Sequence, residues 1–156
     1  MVSTARDLRQ RESDPAAAPA PINRQDSGLL ILRGVMGVVF LMHGGQKLFI
    51  QGLPAVTAYM AGLGIPLPGI AGPLVAFVEF LGGLALFTGV LARWAALLLV
   101  CDMTVAIVTV HLRNGFFLPR GFEYPLTLLA GLLAVALMGP GRLALQALWA
   151  SRDPTP

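Results

Sequence analysis

Apolar residues run almost unbroken through four stretches of this chain, residues 28–48, 70–91, 92–112 and 124–145. A helix rises about 1.5 Å per residue, so roughly 20 apolar residues cross a hydrocarbon core of about 30 Å. Each stretch reaches that length or comes within a turn of it. The pattern predicts an all-α protein, a four-helix transmembrane bundle. The polar positions inside it are few and expensive. Arg33, His43, Glu79 and Asp102 lie within the spans, and Lys47, His111 and Glu123 lie at their edges. A charge at membrane depth costs at least about 2.5 kcal/mol on insertion scales, so it persists where it is paired, hydrated or functional.

Punctuation between the stretches completes the layout. Residues 1–27 are rich in Ala, Pro, Arg, Asp and Ser without an apolar run, which predicts a disordered tail and no signal peptide. Asp26 or Ser27 is positioned to cap the first helix, with Gly28 opening the span. The connection over residues 49–69 is the longest. Pro54 suits the first turn of a short helix, and Gly62 to Gly64 with Pro66 stop it, so a short interfacial helix is expected over residues 53–63. The second and third spans meet at Arg93-Trp94 with almost no loop, as a tight hairpin. Residues 28–145 then form the membrane domain and 146–156 a C-terminal tail.

Loop charges orient the bundle. Arg6, Arg9, Arg11, Arg24, Arg93, Arg142 and Arg152 fall on one side, and Lys47, Arg113 and Arg120 on the other. The positive-inside rule therefore puts both termini in the cytoplasm of a cell whose inner membrane holds the protein. His43, Lys47, His111, Asn114 and Glu123 then gather toward the outer side, with Glu79 and Asp102 near mid-depth.

Helical spacing gives these residues direction. Arg33, Gly37, Phe40, Gly44 and Lys47 follow one another by four, three, four and three positions, a single stripe whose glycines let a neighbouring backbone approach closely. Gly72, Ala76, Glu79 and Gly83 share a face of the second span, and the two faces are expected to meet. Arg33 can pair with either Glu79 or Asp102 as a structural ion pair. His43, Lys47, Glu79, His111, Asn114 and Glu123 form the candidate ligand site, open to the outer side.

Composition narrows the classes. The chain is 56% hydrophobic and 12% charged with a mean hydropathy of +0.74, an integral membrane protein and not a soluble core. The net charge of +3 does not indicate a nucleic-acid partner, because the basic residues are scattered at helix ends. Cys101 stands alone, so an intramolecular disulfide, a CxxC pair, a cysteine metal cluster and a covalent haem site are all excluded. The two histidines lack the local spacing of a metal motif, and no metal is expected. Walker, Rossmann and serine-hydrolase signatures are missing.

The run LRGVMGVVFLMHGGQKLF, carrying Arg33, Gly37, His43-Gly44 and Lys47, resembles the opening helix of the DoxX family. Gly64-Ile65-Pro66, Glu79 with Gly82-Gly83, Gly89, Arg93, Asn114-Gly115-Phe116, Glu123 and Gly139-Pro140-Gly141 follow in matching order, so the resemblance covers roughly residues 29–145. It implies a small four-helix membrane protein acting near quinone chemistry, as a subunit beside a redox partner protein. A quinone is then the candidate cofactor, and the bilayer, a redox partner and a homo-oligomer are the candidate partners. Two classes of function stay open at this point. One is a membrane subunit of a quinone-linked oxidoreductase system. The other is a non-enzymatic scaffold, assembly factor or small-solute permease whose charges hold the bundle together.

Overall fold

The structure, a computed structural model, describes residues 22–150. The expected tail over residues 1–21 and the last six residues lie outside the described residues. Helix α1, Arg24–Gly45, begins a turn before the expected span. Its cap is Asn23, and neither Asp26 nor Ser27 takes that place. The Asn23 side chain accepts from the Asp26 amide at 2.8 Å, and the Asp26 carboxylate accepts from the Asn23 amide at 3.2 Å. This reciprocal box satisfies two backbone donors that a helix start would otherwise leave bare. Residues 24–27 are therefore helix and not tail.

The order that follows is simple. A wider π turn, Gln46–Gln51, carries α1 onward to Gly52. Helix α2, Leu53–Gly62, has Pro54 in its first turn and is the expected short helix. Helix α3 is Pro68–Thr88 and α4 is Ala92–Ala106, prolonged by a π turn, Ile107–His111, and a 3-10 turn, Leu112–Asn114. Helix α5 is Glu123–Met138, and a last short helix, α6, is Leu145–Ala150. Two boundaries differ from expectation. Helix α3 stops at Thr88 because Gly89 takes φ 81°, a left-handed C-cap. Helix α5 stops at Met138 because Gly139 and Gly141 take φ of 81° and 76° around Pro140. The chain then turns back into α6, where a tail was expected.

Three of these helices have the length and apolar composition to cross a membrane: Arg24–Gln51, Pro68–Thr88 and Ala92–Asn114. Helix α5 is apolar but spans 16 residues, about 24 Å. The outward faces are as apolar as the interior. Ile31, Val35, Met42, Leu81, Leu98 and Leu137 are all exposed, Leu137 at 78%. In water such a surface would aggregate; against lipid it is the expected exterior. The chain is a four-helix bundle of the membrane type, with α2 laid against α3 at one end.

Packing is closest between α1 and α3. A Cβ built on Gly37 would lie 2.6 Å from the Phe87 amide nitrogen, and one on Gly83 would lie 2.8 Å from the Gly37 carbonyl oxygen. Gly44 abuts the backbone of Phe80 in the same way. These contacts set the antiparallel register, with Gly44 opposite Phe80 and Gly37 opposite Phe87. The expected stripes do meet, along their glycines. A core of Met36, Phe40, Leu86, Leu99, Leu132 and Val135 fills the half of the bundle nearer the termini. The other half holds a cavity.

Candidate functional site

The register decides which charges meet. Lys47, in the π turn after α1, lies past Gly44 and reaches Glu79 on α3, to which its ammonium donates. The Glu79 side chain is only 6% exposed. Arg33 sits 14 residues before Lys47 on α1, about 21 Å away along the axis, at the end where α3 finishes. Its Nη1 donates to the carbonyls of Leu86 at 3.0 Å and Phe87 at 2.8 Å, and its Nη2 donates to the Leu143 carbonyl at 2.8 Å. The expected ion pair between Arg33 and Glu79 or Asp102 is thus overturned. The last carbonyls of a helix lack intrahelical partners and carry the negative end of its dipole, so a buried guanidinium is well placed there. Arg33 clamps the end of α3 to the segment before α6. Asp26 works beside it, its carboxylate accepting from the Arg142 amide at 3.1 Å.

At the opposite end a cavity of about 340 Å³ opens between α1, α2, α3, α4 and the start of α5. Its walls are apolar, with Phe40 and Val39 from α1, Met60 from α2, Val75 from α3, Met103 from α4 and Leu128 from α5. Polar groups enter at few points. The Lys47–Glu79 pair, Asp102, His43, His111, Thr109, Tyr59 and Tyr124 line it. Such a pocket, mostly apolar with a few convergent polar groups, suits a small ring-bearing ligand. The two π turns lie against it, supplying Lys47 from one and Thr109 and His111 from the other. An extra residue per turn widens the helix and re-aims side chains, a device frequent at functional sites.

Of the six residues expected to bind ligand, His43, Lys47, Glu79 and His111 are brought to this one cavity. Asn114 and Glu123 are not. Asn114 donates through Nδ2 to the Val110 carbonyl at 2.8 Å, closing the end of α4. Glu123 accepts the Leu118 amide at 2.7 Å and so shapes the loop over residues 115–122. Asp102, expected in a structural pair, instead faces the cavity, close enough to feel the charges of Glu79 and Lys47. Its Oδ2 is buried and has no hydrogen-bond partner among the described residues. Tyr59 and Tyr124 went unrecognised in the sequence, since a lone tyrosine near a helix end reads as an ordinary interfacial residue.

Both histidines are held in one tautomer. His43 Nδ1 lies 2.9 Å from the Val39 carbonyl and His111 Nδ1 lies 2.9 Å from the Arg120 carbonyl. A carbonyl only accepts, so each Nδ1 donates its proton there, and the Nε2 of a neutral ring so held is an acceptor. Among the described residues, no group of three His, Cys, Asp or Glu side chains is arranged to hold a metal ion.

The DoxX family model matches residues 28–112, more than half of the chain. The chain belongs to the DoxX family. Within this DoxX protein the matched region carries His43, Lys47, Tyr59, Glu79, Asp102 and His111, and α5 closes the cavity from beyond it. The chain is 32% identical to the Bacillus subtilis (strain 168) protein named "Putative oxidoreductase CatD", over 76% of this chain and 84% of that protein. It is 34% identical to "Inner membrane protein YqjF" of Escherichia coli (strain K12), over 75% of this chain and 88% of that protein. It is 33% identical to "Uncharacterized membrane protein Rv3486" of Mycobacterium tuberculosis (strain ATCC 25618 / H37Rv), over 75% of this chain and 78% of that protein. No solved structure matches the chain. This DoxX protein is a multi-pass membrane protein.

Proposed function

We propose that this protein is a membrane subunit of a quinone-linked oxidoreductase system whose cavity receives a quinone headgroup. The observation that carries the reading is the pairing of an apolar-walled cavity with a buried, unpartnered carboxyl oxygen on Asp102, set beside the Lys47–Glu79 ion pair. An orphaned polar atom facing an apolar cavity fits a ligand that is mostly ring and, in one of its redox states, hydrogen-bonds there at one or two points. The name of the Bacillus subtilis relative supports an oxidoreductase setting. A bound quinone would supply two-electron, two-proton chemistry, with a partner protein as its electron source or sink.

The chain's own residues divide the work. Phe40, Met60, Val75 and Met103 exclude water from the headgroup. Lys47 neutralises Glu79 and fixes the polar corner of the cavity. His43 and His111, at the end toward the α4–α5 loop, offer proton acceptors between the cavity and that surface. With both termini cytoplasmic, as the arginine count favours, the cavity sits in the outer half of the membrane.

Protein purified in mild detergent from quinone-containing membranes should carry quinone in an organic extract. His43→Ala and Glu79→Gln should each lose it while keeping a cooperative thermal transition. Wild-type protein that carries none, and binds none when quinone is added back, would defeat the reading and favour a scaffold, assembly factor or permease.

A further inference from the structure

We propose that the cavity selects the reduced, dihydroxy form of its ligand over the oxidised dicarbonyl form, and that Asp102 is the residue that makes the choice. This inference rests on the quinone reading above and adds a redox preference to it. The two forms differ at the atoms a protein reads. A quinone presents carbonyl oxygens, which only accept. The corresponding quinol presents hydroxyls, which also donate.

Among the described residues, the buried side-chain atom that lines the cavity without a hydrogen-bond partner is a carboxyl oxygen, Asp102 Oδ2. The Nδ1 protons of His43 and His111 are committed to the Val39 and Arg120 carbonyls, which leaves each Nε2 as an acceptor. Lys47 directs one of its three N–H donors to Glu79, which anchors its ammonium at that carboxylate. Glu79 and Lys47 are the charged groups that Asp102 feels, the first from α3 and the second from the turn after α1. The Tyr59 and Tyr124 hydroxyls also line the cavity, on residues that are 54% and 41% exposed, whereas the Asp102 oxygen is buried. A hydroxyl placed against the Asp102 carboxylate satisfies the orphaned oxygen, whereas a carbonyl placed there leaves it bare and sets lone pair against lone pair. A protonated carboxyl would instead donate to the carbonyl, so the comparison is made well above neutral pH. Sites built around a buried hydrogen-bonding group reject analogues that cannot complete the bond.

The test compares decylubiquinol, decylubiquinone and the dimethyl ether of the quinol, binding to full-length protein in lipid nanodiscs by equilibrium titration. The ether keeps the ring and removes both donors. The quinol is expected to bind at least tenfold more tightly than either. Tenfold tighter binding of the reduced form raises the midpoint potential of the bound two-electron couple by about 30 mV, an independent readout without turnover. Asp102→Asn, which offers an amide donor as well as an acceptor, should bring the three affinities within about threefold, with the thermal transition confirming that the variant is folded. Equal or tighter binding of the quinone by wild-type protein overturns the inference and leaves the quinone reading standing. A preference that survives in folded Asp102→Asn removes Asp102 from the role. Failure of all three ligands to bind defeats both proposals. The wild-type comparison decides the matter even if the variant does not fold.

Discussion

Removing Lys47 should destabilise the bundle more than removing Glu79, although the two form one ion pair. Breaking a buried pair by deleting one partner typically costs about 3–5 kcal/mol, because the survivor stays charged and desolvated. Lys47→Met keeps most of the aliphatic stem but leaves Glu79, with its side chain 6% exposed, facing Asp102 with no cation between them. Two carboxyl groups then share an apolar cavity, and the cost belongs at the upper end of that range. Glu79→Leu leaves Lys47 with Asp102 still within reach of its charge, and the Lys47 side chain is 21% exposed. A substitute partner and some water bring the cost down to about 1–3 kcal/mol. The double variant replaces both charges by apolar groups of similar bulk and should fall within about 1–2 kcal/mol of wild type. The cycle thus predicts a coupling of about 3–7 kcal/mol, measured by reversible unfolding in mixed detergent and SDS and followed by far-ultraviolet circular dichroism. Additivity within about 0.5 kcal/mol would show that the pair is not coupled. A Glu79→Leu variant as damaged as Lys47→Met would remove Asp102 as the reserve partner.

Arg33→Leu should cost about 3–5 kcal/mol in the same assay, since three backbone carbonyls lose a charged donor; combined with Glu79→Leu it should be additive within about 0.5 kcal/mol, and any larger coupling would revive a direct pair. Gly44→Ala should cost about 1–3 kcal/mol by forcing α1 away from Phe80, while Gly28→Ala, with nothing within 4 Å of the new methyl, should be neutral or mildly stabilising; equal effects would mean that the α1–α3 contact is not tight. In a Cys101→Ser background, a membrane-impermeant maleimide applied to intact cells should label Arg120→Cys and spare Ser3→Cys, and the opposite pattern would invert the assigned orientation.

The first three spans, the short helix after the first of them and the faces that pack together were legible along the chain. The fourth apolar stretch was drawn seven residues too long, because Gly139 and Gly141 end α5 at Met138. Twenty apolar residues can be little else in sequence, and a four-three-four-three stripe with two glycines names the side of α1 that a neighbour approaches. The candidate site was legible in its ingredients, with His43, Lys47, Glu79 and His111 converging as expected from their depth. Asn114 and Glu123 shared that depth and still turned to the backbone, because short-range hydrogen bonds to Val110 and Leu118 were available within their own segments.

Sequence by itself determined the membrane class, the order of the apolar helices and the facing surfaces, since apolar length and helical period act within one segment. Tertiary structure decided the register. A stripe of small residues repeats, so it can be slid by a turn or two with its periodicity intact, and each slide of seven residues moves a charge about 10 Å along the partner helix. The backbone contacts of Gly37 with Phe87 and Gly44 with Phe80 select one alignment. In that alignment Lys47 meets Glu79, and Arg33 meets only the carbonyls at the end of α3 and before α6. Asp102 is left facing the cavity because both cations are committed elsewhere, an outcome set by distances between helices far apart in the chain.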